Sequence, residues 1–425
     1  MDTYPILGQR YKNRIIDASI QRALRIAGAV VIEGARGSGK TMSALNAAKS
    51  AIYLDDDQVR AQLAQFPHRA LDGARPRLLD EWDSVPGLWN RVRREVDASA
   101  HRGQFILTGS AVPADDVTRH TGAGRFMRLR QRTMTWSEKA PTGDLGVSIA
   151  GLFDGKGPHG YAPPMDTLES VVASLLQSGF PGMVDLEPED SAELLHSYID
   201  DIARADVRRI ATVRHEPQVL RRLIASIARN TGSEATLGTL AGDVRALAPD
   251  VKDSTIGRYV ELLQRLFVVE AQEAWSPTLR SRTAIRKAPK YHLVDPALAA
   301  AAMGAGNSHL MTDLRTTGFL FESAVVHDLS VLASPLRGEV RHFRDAAGRE
   351  IDAIITLPDG RWGAVEVKLG SGAIPAAIAS LARSIAAVDT AAVGNPAFRL
   401  VITGNGPIDV AECGTITAPL RALAT

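Results

Sequence analysis

Apolar positions along the chain follow two rhythms. Near the N-terminus, short continuous apolar runs alternate with helical stretches. Ala29-Val30-Val31-Ile32-Glu33 is one such run, followed by a glycine-rich loop and an alanine-rich helical stretch from Met42 to Ser50. Leu78-Leu79 within Arg77–Trp82 and Phe105-Ile106-Leu107 within Gln104–Ser110 are two more, and Phe126-Met127-Arg128-Leu129-Arg130 alternates like a half-buried strand. Such runs joined by helices predict a parallel sheet covered on both faces. Residues 139–166 are rich in glycine and proline and read as an exposed connection. From Leu168 the spacing turns helical, with Leu168, Val171, Val172, Leu175 and Leu176 recurring at three and four residues, and Leu194–Val207 is amphipathic. Three further helices are predicted over Val219–Ala228, Leu237–Leu247 and Thr255–Leu266, the last capped by Asp253 or Ser254. A strand starting at Phe267 completes a winged-helix-like pattern. A helical stretch from Phe321 to Leu329 then precedes strands at Arg341–Asp345, Glu350–Ile355 and Gly363–Lys368, with a turn at Pro358-Asp359-Gly360 and a helix from Ile374 to Val388. The expected organisation is an α/β domain over 1–140, a linker over 141–166, a helical and winged-helix-like domain over 167–295, and a C-terminal α/β domain over 296–425.

Composition narrows this picture. A length of 425 residues exceeds what one core serves, which supports several domains. No apolar run stands out as long enough to cross a bilayer and the first residues lack a signal-peptide pattern, so a cytoplasmic protein without a membrane partner is expected. Cys413 is the sole cysteine, which excludes an internal disulfide and a cysteine-based zinc cluster. The 49 basic and 48 acidic residues give a net charge of +1, so a nucleic-acid partner has to be argued from local features. The arginine clusters at Arg119–Arg132 and Arg204–Arg222 read as solvated faces, the second being interleaved with Asp200, Asp201 and Asp206.

The loop after the first apolar run is Gly34-Ala35-Arg36-Gly37-Ser38-Gly39-Lys40-Thr41. Between a strand and a helix this is a complete phosphate-binding P-loop. Its backbone N–H groups and the helix N-terminus favour an anion, Lys40 would reach the β- and γ-phosphates of ATP, and Thr41 would offer its hydroxyl to Mg²⁺. Asp80-Glu81 closes the second apolar run, so that Asp80 would hold Mg²⁺ and Glu81 would polarise the attacking water. Thr108 or Ser110, at the end of the third run, would position that water. Arg125, on the Gly122-Ala123-Gly124 loop, is the candidate arginine finger with Arg119 as runner-up, and action in cis or on a neighbouring copy of a homo-oligomer stays open. A small-molecule kinase is disfavoured because two adjacent carboxylates suit water activation.

The order of P-loop, Leu-Leu-Asp-Glu-Trp, Gln-Phe-Ile-Leu-Thr-Gly-Ser and Gly-Ala-Gly-Arg-Phe resembles the AAA-type P-loop ATPases of prokaryotes. More narrowly it resembles ATP-binding proteins whose C-terminal half is a domain of unknown function. Tyr11-Lys12-Asn13-Arg14-Ile15-Ile16-Asp17 and Ser178-Gly179-Phe180-Pro181 fit the same family. The resemblance implies ATP binding and hydrolysis.

The second constellation lies near the C-terminus. Glu366 and Lys368 are two apart and share a strand face, and Asp352 stands on the adjoining strand. Asp352, Glu366 and the Val367 carbonyl suit an oxygen-only Mg²⁺ site, where Lys368 would orient or deprotonate water. The pattern resembles the PD-(D/E)xK nuclease-like fold, although Glu350-Ile351 replaces the Pro of the motif's name. The resemblance adds Glu322, on the preceding helix, as a further acid. The expected function is an ATP-driven protein acting on DNA, branched DNA included. The alternative is a nucleotide-dependent regulatory switch, or a toxin–antitoxin-type component, that recognises a protein partner.

Overall fold

A computed structural model of the chain describes residues 11–85, 87–99, 101–109, 123–140, 146–163, 166–206, 216–277 and 288–425. Ser110 and Arg119 lie outside them. The described residues form two compact units, one reaching Thr133 and including Arg265–Phe267, the other starting at Met134.

The first unit is built on a five-stranded parallel sheet. Strands β1 (Ala29–Glu33), β2 (Ser50–Tyr53), β3 (Arg77–Asp80), β4 (Phe105–Gly109) and β5 (Phe126–Arg130) lie in the order β2-β3-β4-β1-β5. Helices α1 (Ile16–Ile26), α2 (Lys40–Ala47), α3 (Asp57–Gln65) and α4 (Leu88–Ala98) complete it. Alternate side chains enter separate cores. Val31, Leu79, Phe105 and Leu107 pack with Leu88, Trp89 and Val92. Val30, Ile32, Leu78 and Ile106 pack with Ile20, Leu24, Ala44 and Leu45. Burial on both faces is why these strands are continuously apolar in sequence. The fold is that of an α/β P-loop NTPase.

The second unit contains helices α5 (Leu168–Leu176), α6 (Pro188–Asp201), α7 (Pro217–Arg229), α8 (Leu237–Arg245) and α9 (Asp253–Arg265). A two-stranded antiparallel ribbon follows, made of β6 (Val269–Gln272) and β7 (Lys290–Leu293). After α10 (Pro296–Met303) and α11 (Leu314–Ala333) come β8 (Glu339–Arg344), β9 (Glu350–Thr356), β10 (Trp362–Lys368), α12 (Ile374–Ile385), β11 (Arg399–Thr403), β12 (Asp409–Val410) and β13 (Ile416–Pro419). The mixed sheet runs β12-β13-β11-β10-β9-β8. Strands β8, β9 and β10 are antiparallel neighbours, and β11 joins β10 in parallel. Leu381 of α12 packs with Ile351, Ile354, Trp362 and Ala364.

Three expectations change here. Residues 167–295 and 296–425 belong to one compact unit rather than two. Hydrogen bonds across the expected boundary give the reason. Gln272 of β6 donates to the Asp352 carbonyl of β9 at 2.9 Å, and His292 of β7 lies 3.0 Å from the Ser323 hydroxyl of α11 and 3.3 Å from Gln272 Oε1. The Trp275 N–H also donates to the His342 carbonyl at 2.6 Å. Second, the expected exposed connection contains a structured piece, in which Val147, Ile149 and Leu152 are buried and Phe153 meets Phe398 edge-on at 5.0 Å. Third, one helix, Leu314–Leu336, is long and apolar enough to cross a membrane by length and composition, with a mean hydropathy of 1.3. It carries buried Phe321, Ser323, His327 and Asp328, and 67% of its most apolar stretch is buried, so it is a core helix of this unit.

His292 is fully enclosed, and burial pushes its pKa down to about 3, with the nearby Lys290 ammonium adding to the effect. A folded-state value below the unfolded one means that the unfolded chain binds more protons as pH falls below about 6.5, so stability is lost in that range. Chemical denaturation between pH 6.5 and 4.5 should show wild type losing about 1 kcal/mol per pH unit more than His292→Gln. Parallel slopes for the two proteins would contradict this assignment.

Candidate functional site

The carboxyl ends of β1, β3 and β4 meet on one edge of the parallel sheet, the edge at which open α/β sheets bind ligands. The loop after β1 turns through Gly37 at φ 79° and Gly39 at φ 93°, left-handed conformations that glycine adopts without strain, and Gly39 opens α2. Lys40 is buried and its ammonium donates to the Gly34 and Ala35 carbonyls at 3.0 and 2.9 Å. Burial lowers its pKa to about 8, against the opposing pull of Glu81, Asp80 and Asp83. Arg36 is exposed on the loop.

Asp80 is the meeting point. Its Oδ1 accepts from the Thr41 hydroxyl at 2.9 Å and from the Thr108 hydroxyl at 2.5 Å. The loop helix, β3 and β4 are thereby tied through one carboxylate oxygen. Burial raises the Asp80 pKa, and the two hydroxyl bonds partly offset this. Glu81 follows in a left-handed conformation, φ 51° and ψ 49°, which costs a non-glycine residue free energy and is frequent at functional sites. A carboxylate and a hydroxyl on Oδ1, an ammonium beside the loop and a helix N-terminus form a donor set that suits Mg²⁺ and a nucleotide phosphate.

The contacts of three flanking side chains escaped the sequence reading. Arg14, buried, donates to the Ser38 carbonyl at 3.1 Å and to the Arg132 carbonyl at 2.9 Å. Gln131 donates to the same Ser38 carbonyl at 3.0 Å and to the Ser43 hydroxyl at 3.1 Å, while Tyr11 bonds Asp17 at 2.5 Å and Ser43 at 3.2 Å. The segment from Tyr11 to Asp17 thus braces the loop from behind. In the sequence this segment stood out only through its resemblance to the family.

Arg125 is placed elsewhere. It precedes β5, at the amino edge of the sheet, where its carbonyl accepts from Ala29 N–H at 3.1 Å. The loop begins after Glu33, about 13 Å further along β1. Its guanidinium bonds Asp97 at 2.7 Å and the Ala123 carbonyl at 2.9 Å. The strand direction and the Asp97 pair therefore remove the in-cis finger reading.

In the second unit, the β9–β10 register pairs Ala353 with Val365, and Asp352 and Glu366 are the next residues along it. Asp352 Oδ2 accepts from Val367 N–H at 2.7 Å. Lys368 donates to Glu366 Oε1 and the Val367 carbonyl, both at 3.0 Å, and lies 4.0 Å from Asp352. Glu366 Oε2 is buried without a hydrogen-bond partner. Burial and then Asp352 push the Glu366 pKa up to about 7, with Lys368 opposing. Two carboxylates, one of them Glu366 with a buried Oε2 and the Ser380 hydroxyl nearby, and a carbonyl fit a hard cation.

Glu322 does not join them as a third ligand. Its Oε1 accepts from Lys290 at 2.7 Å, a residue the sequence reading missed. Among the described residues, no group of three His, Cys, Asp or Glu side chains is close enough to hold a metal ion. The physical reason is that the ammonium of Lys290 already neutralises the buried Glu322 carboxylate.

Three families match successive parts of the chain. Residues 27–139 match an AAA domain, 168–309 a domain of unknown function (DUF8612), and 317–420 another domain of unknown function (DUF4143). No curated protein matches. Among solved structures, the Walker-type ATPase PABY2304 of Pyrococcus abyssi is 12% identical, covering 71% of this chain and 99% of its own, with a TM-score of 0.43. The Aeropyrum pernix Orc1 protein in complex with DNA is 13% identical, covering 72% and 94%, at a TM-score of 0.24. The FIGL-1 AAA domain in complex with ADP is 15% identical, covering 63% and 91%, at 0.22. Scores this low carry no functional argument. The AAA match and the loop geometry together make residues up to Thr133 an ATPase-like nucleotide-binding unit.

A Cβ at Gly34 would stand 2.1 Å from the Gln131 carbonyl oxygen, a distance only backbone movement can relieve. Gly34→Ala should therefore weaken binding of a fluorescent ATP analogue by about tenfold or more, equivalent to about 1.4 kcal/mol. Unchanged affinity would show that the loop does not need this approach.

Proposed function

We propose that the chain hydrolyses ATP and acts on nucleic acid. The convergence of Thr41 and Thr108 on Asp80, with Glu81 next in sequence, is the observation that carries the hydrolytic reading. Lys40 would contact the β- and γ-phosphates, and Thr41 and Asp80 would hold Mg²⁺, which supplies charge neutralisation when bound. Glu81 would take the role of water-orienting base, and Thr108 would keep Asp80 in place. The backbone of Gly34–Lys40 would cradle the phosphates. An arginine facing the γ-phosphate would have to come from another element or a second copy, where Arg125 is a candidate.

The nucleic-acid part rests on the second unit. Helix α11, strands β8–β10, helix α12 and parallel β11 follow the order of the PD-(D/E)xK nuclease-like fold, and Asp352, Glu366 and Lys368 stand together on its central strands. Lys368 would hold a water or a phosphate oxygen, and Asp352 and Glu366 would take a divalent cation. Helices α7, α8 and α9 with the β6–β7 ribbon have winged-helix order, and Lys252 and Arg258 are exposed at the start of α9. DNA is the partner this arrangement suits, through phosphate contacts at that helix end.

ATP hydrolysis measured with and without duplex, single-stranded and branched DNA tests both parts. Glu81→Gln should lower turnover by about 100-fold or more while ATP still binds. Lys368→Ala should abolish Mg²⁺-dependent DNA cleavage and leave ATPase activity in place. An absence of cleavage combined with salt-insensitive DNA binding would reject the nucleic-acid reading in favour of a regulatory switch with a protein partner.

A further inference from the structure

Both carboxylate oxygens of Glu322 have neighbours other than a cation position. Oε1 accepts from Lys290, and the two side chains are only 13% and 7% exposed. Oε2 faces Gly232, whose φ of +70° favours glycine, and a Cβ there would stand 3.2 Å from Oε2 and 3.1 Å from Phe319. The carboxylate is therefore walled on one side by backbone and bonded on the other. Burial pushes its pKa up to about 7, with Lys290 opposing and Asp352 adding to the rise.

Lys290 comes from the β6–β7 ribbon, outside the stretch of residues 317–420 that carries the other four charged groups. Its ammonium also interacts with Asp352. Charge counting shows what it does. Glu350 also interacts with Lys290 and Glu322 but is balanced by Arg344 at 3.0 Å. Glu322, Asp352 and Glu366 set against Lys290 and Lys368 then give two positive and three negative charges, a sum of −1 when all are ionised. One divalent cation brings the cluster to +1, which suits a single phosphodiester anion. Without Lys290 the cluster would stand at −2, and one cation would only neutralise it.

We propose that Lys290 reserves Glu322 and thereby sets the C-terminal site to one divalent cation, taken by Asp352, Glu366 and the Val367 carbonyl. Lys290 is a positioning residue, and Glu322 stands outside the ligand set. The inference rests on the reading of this site as a cation-dependent phosphodiester site. Its direct readout is metal binding rather than cleavage.

Mn²⁺ titration followed by electron paramagnetic resonance tests it, using the full chain in an Asp80→Asn background that silences the nucleotide site. One Mn²⁺ per chain is expected, lost on Asp352→Asn. Lys290→Met should tighten Mn²⁺ binding by up to about tenfold or admit a second ion, because a nearby positive charge is removed, and Glu322→Gln should weaken it by a comparable factor, because a nearby negative charge is removed. Should the single variant not fold, Lys290→Met/Glu322→Gln removes both charges together and should keep one Mn²⁺ at wild-type affinity. A tenfold or larger loss in Lys290→Met/Glu322→Gln, about 1.4 kcal/mol, would make Glu322 a ligand and overturn the inference. Mn²⁺ binding that survives Asp352→Asn would instead overturn the reading of the site itself.

Discussion

A single oxygen of Asp80 accepts hydrogen bonds from Thr41 and Thr108, and the nucleotide edge of the first unit is organised around it. The carboxylate is buried at the end of β3, where an unpaired charge would be expensive. Two hydroxyls reduce that penalty without neutralising the charge, leaving Asp80 available to a cation. Each hydroxyl also belongs to a different element, so the loop helix, β3 and β4 are held at fixed separation. Arg14 and Gln131 complete the frame through the Ser38 carbonyl. The loop is consequently positioned by groups that do not touch phosphate.

The second unit solves the same problem by the opposite means. Two of its buried carboxylates are met by ammonium groups, Glu322 by Lys290 and Glu366 by Lys368. An ion pair shut away from water is strongly coupled, so elements that share one behave as a unit. Together with the Gln272–Asp352, His292–Ser323 and Trp275–His342 hydrogen bonds, the Lys290–Glu322 pair joins the ribbon after α9 to α11 and the mixed sheet in one body, although they match different families. Sequence divisions follow local pattern, whereas this body is held by contacts between residues 32 apart in the Lys290–Glu322 pair and 80 apart in the Gln272–Asp352 contact.

Legibility in the sequence tracked how local the cause was. The run Ala29–Glu33 appears as β1 with the same bounds, because burial on both faces leaves an unbroken apolar stretch. The three middle helices appear within two residues of their expected ends, since amphipathic spacing is a local signal, although Asp253 and Ser254, expected to cap the third, lie inside its first turn. Phe267, expected to begin a strand, instead takes φ 59°, and the strand starts at Val269. Val147–Phe153 was hidden by the glycines and prolines around it, and its burial depends on distant Phe398. The gathering of Asp352, Glu366 and Lys368 was readable from alternation on a hairpin. The partners of Glu322 and Arg125 were not, because Lys290 and Asp97 are brought to them only by the tertiary fold.

The aromatic side chains beside Asp80 and Glu81 carry a further consequence. Trp82 directly follows Glu81 and lies 5.1 Å from Trp89, which stacks on Phe126 at 4.0 Å with the rings 11° apart. A Cβ on Gly109 would meet the Trp82 indole nitrogen at 3.1 Å, so β4 lies against the same ring. Any rearrangement of Glu81 out of its left-handed backbone must shift this indole relative to its neighbours. The chain thus contains an intrinsic optical reporter of its nucleotide edge, with tryptophan emission as the signal and no added label.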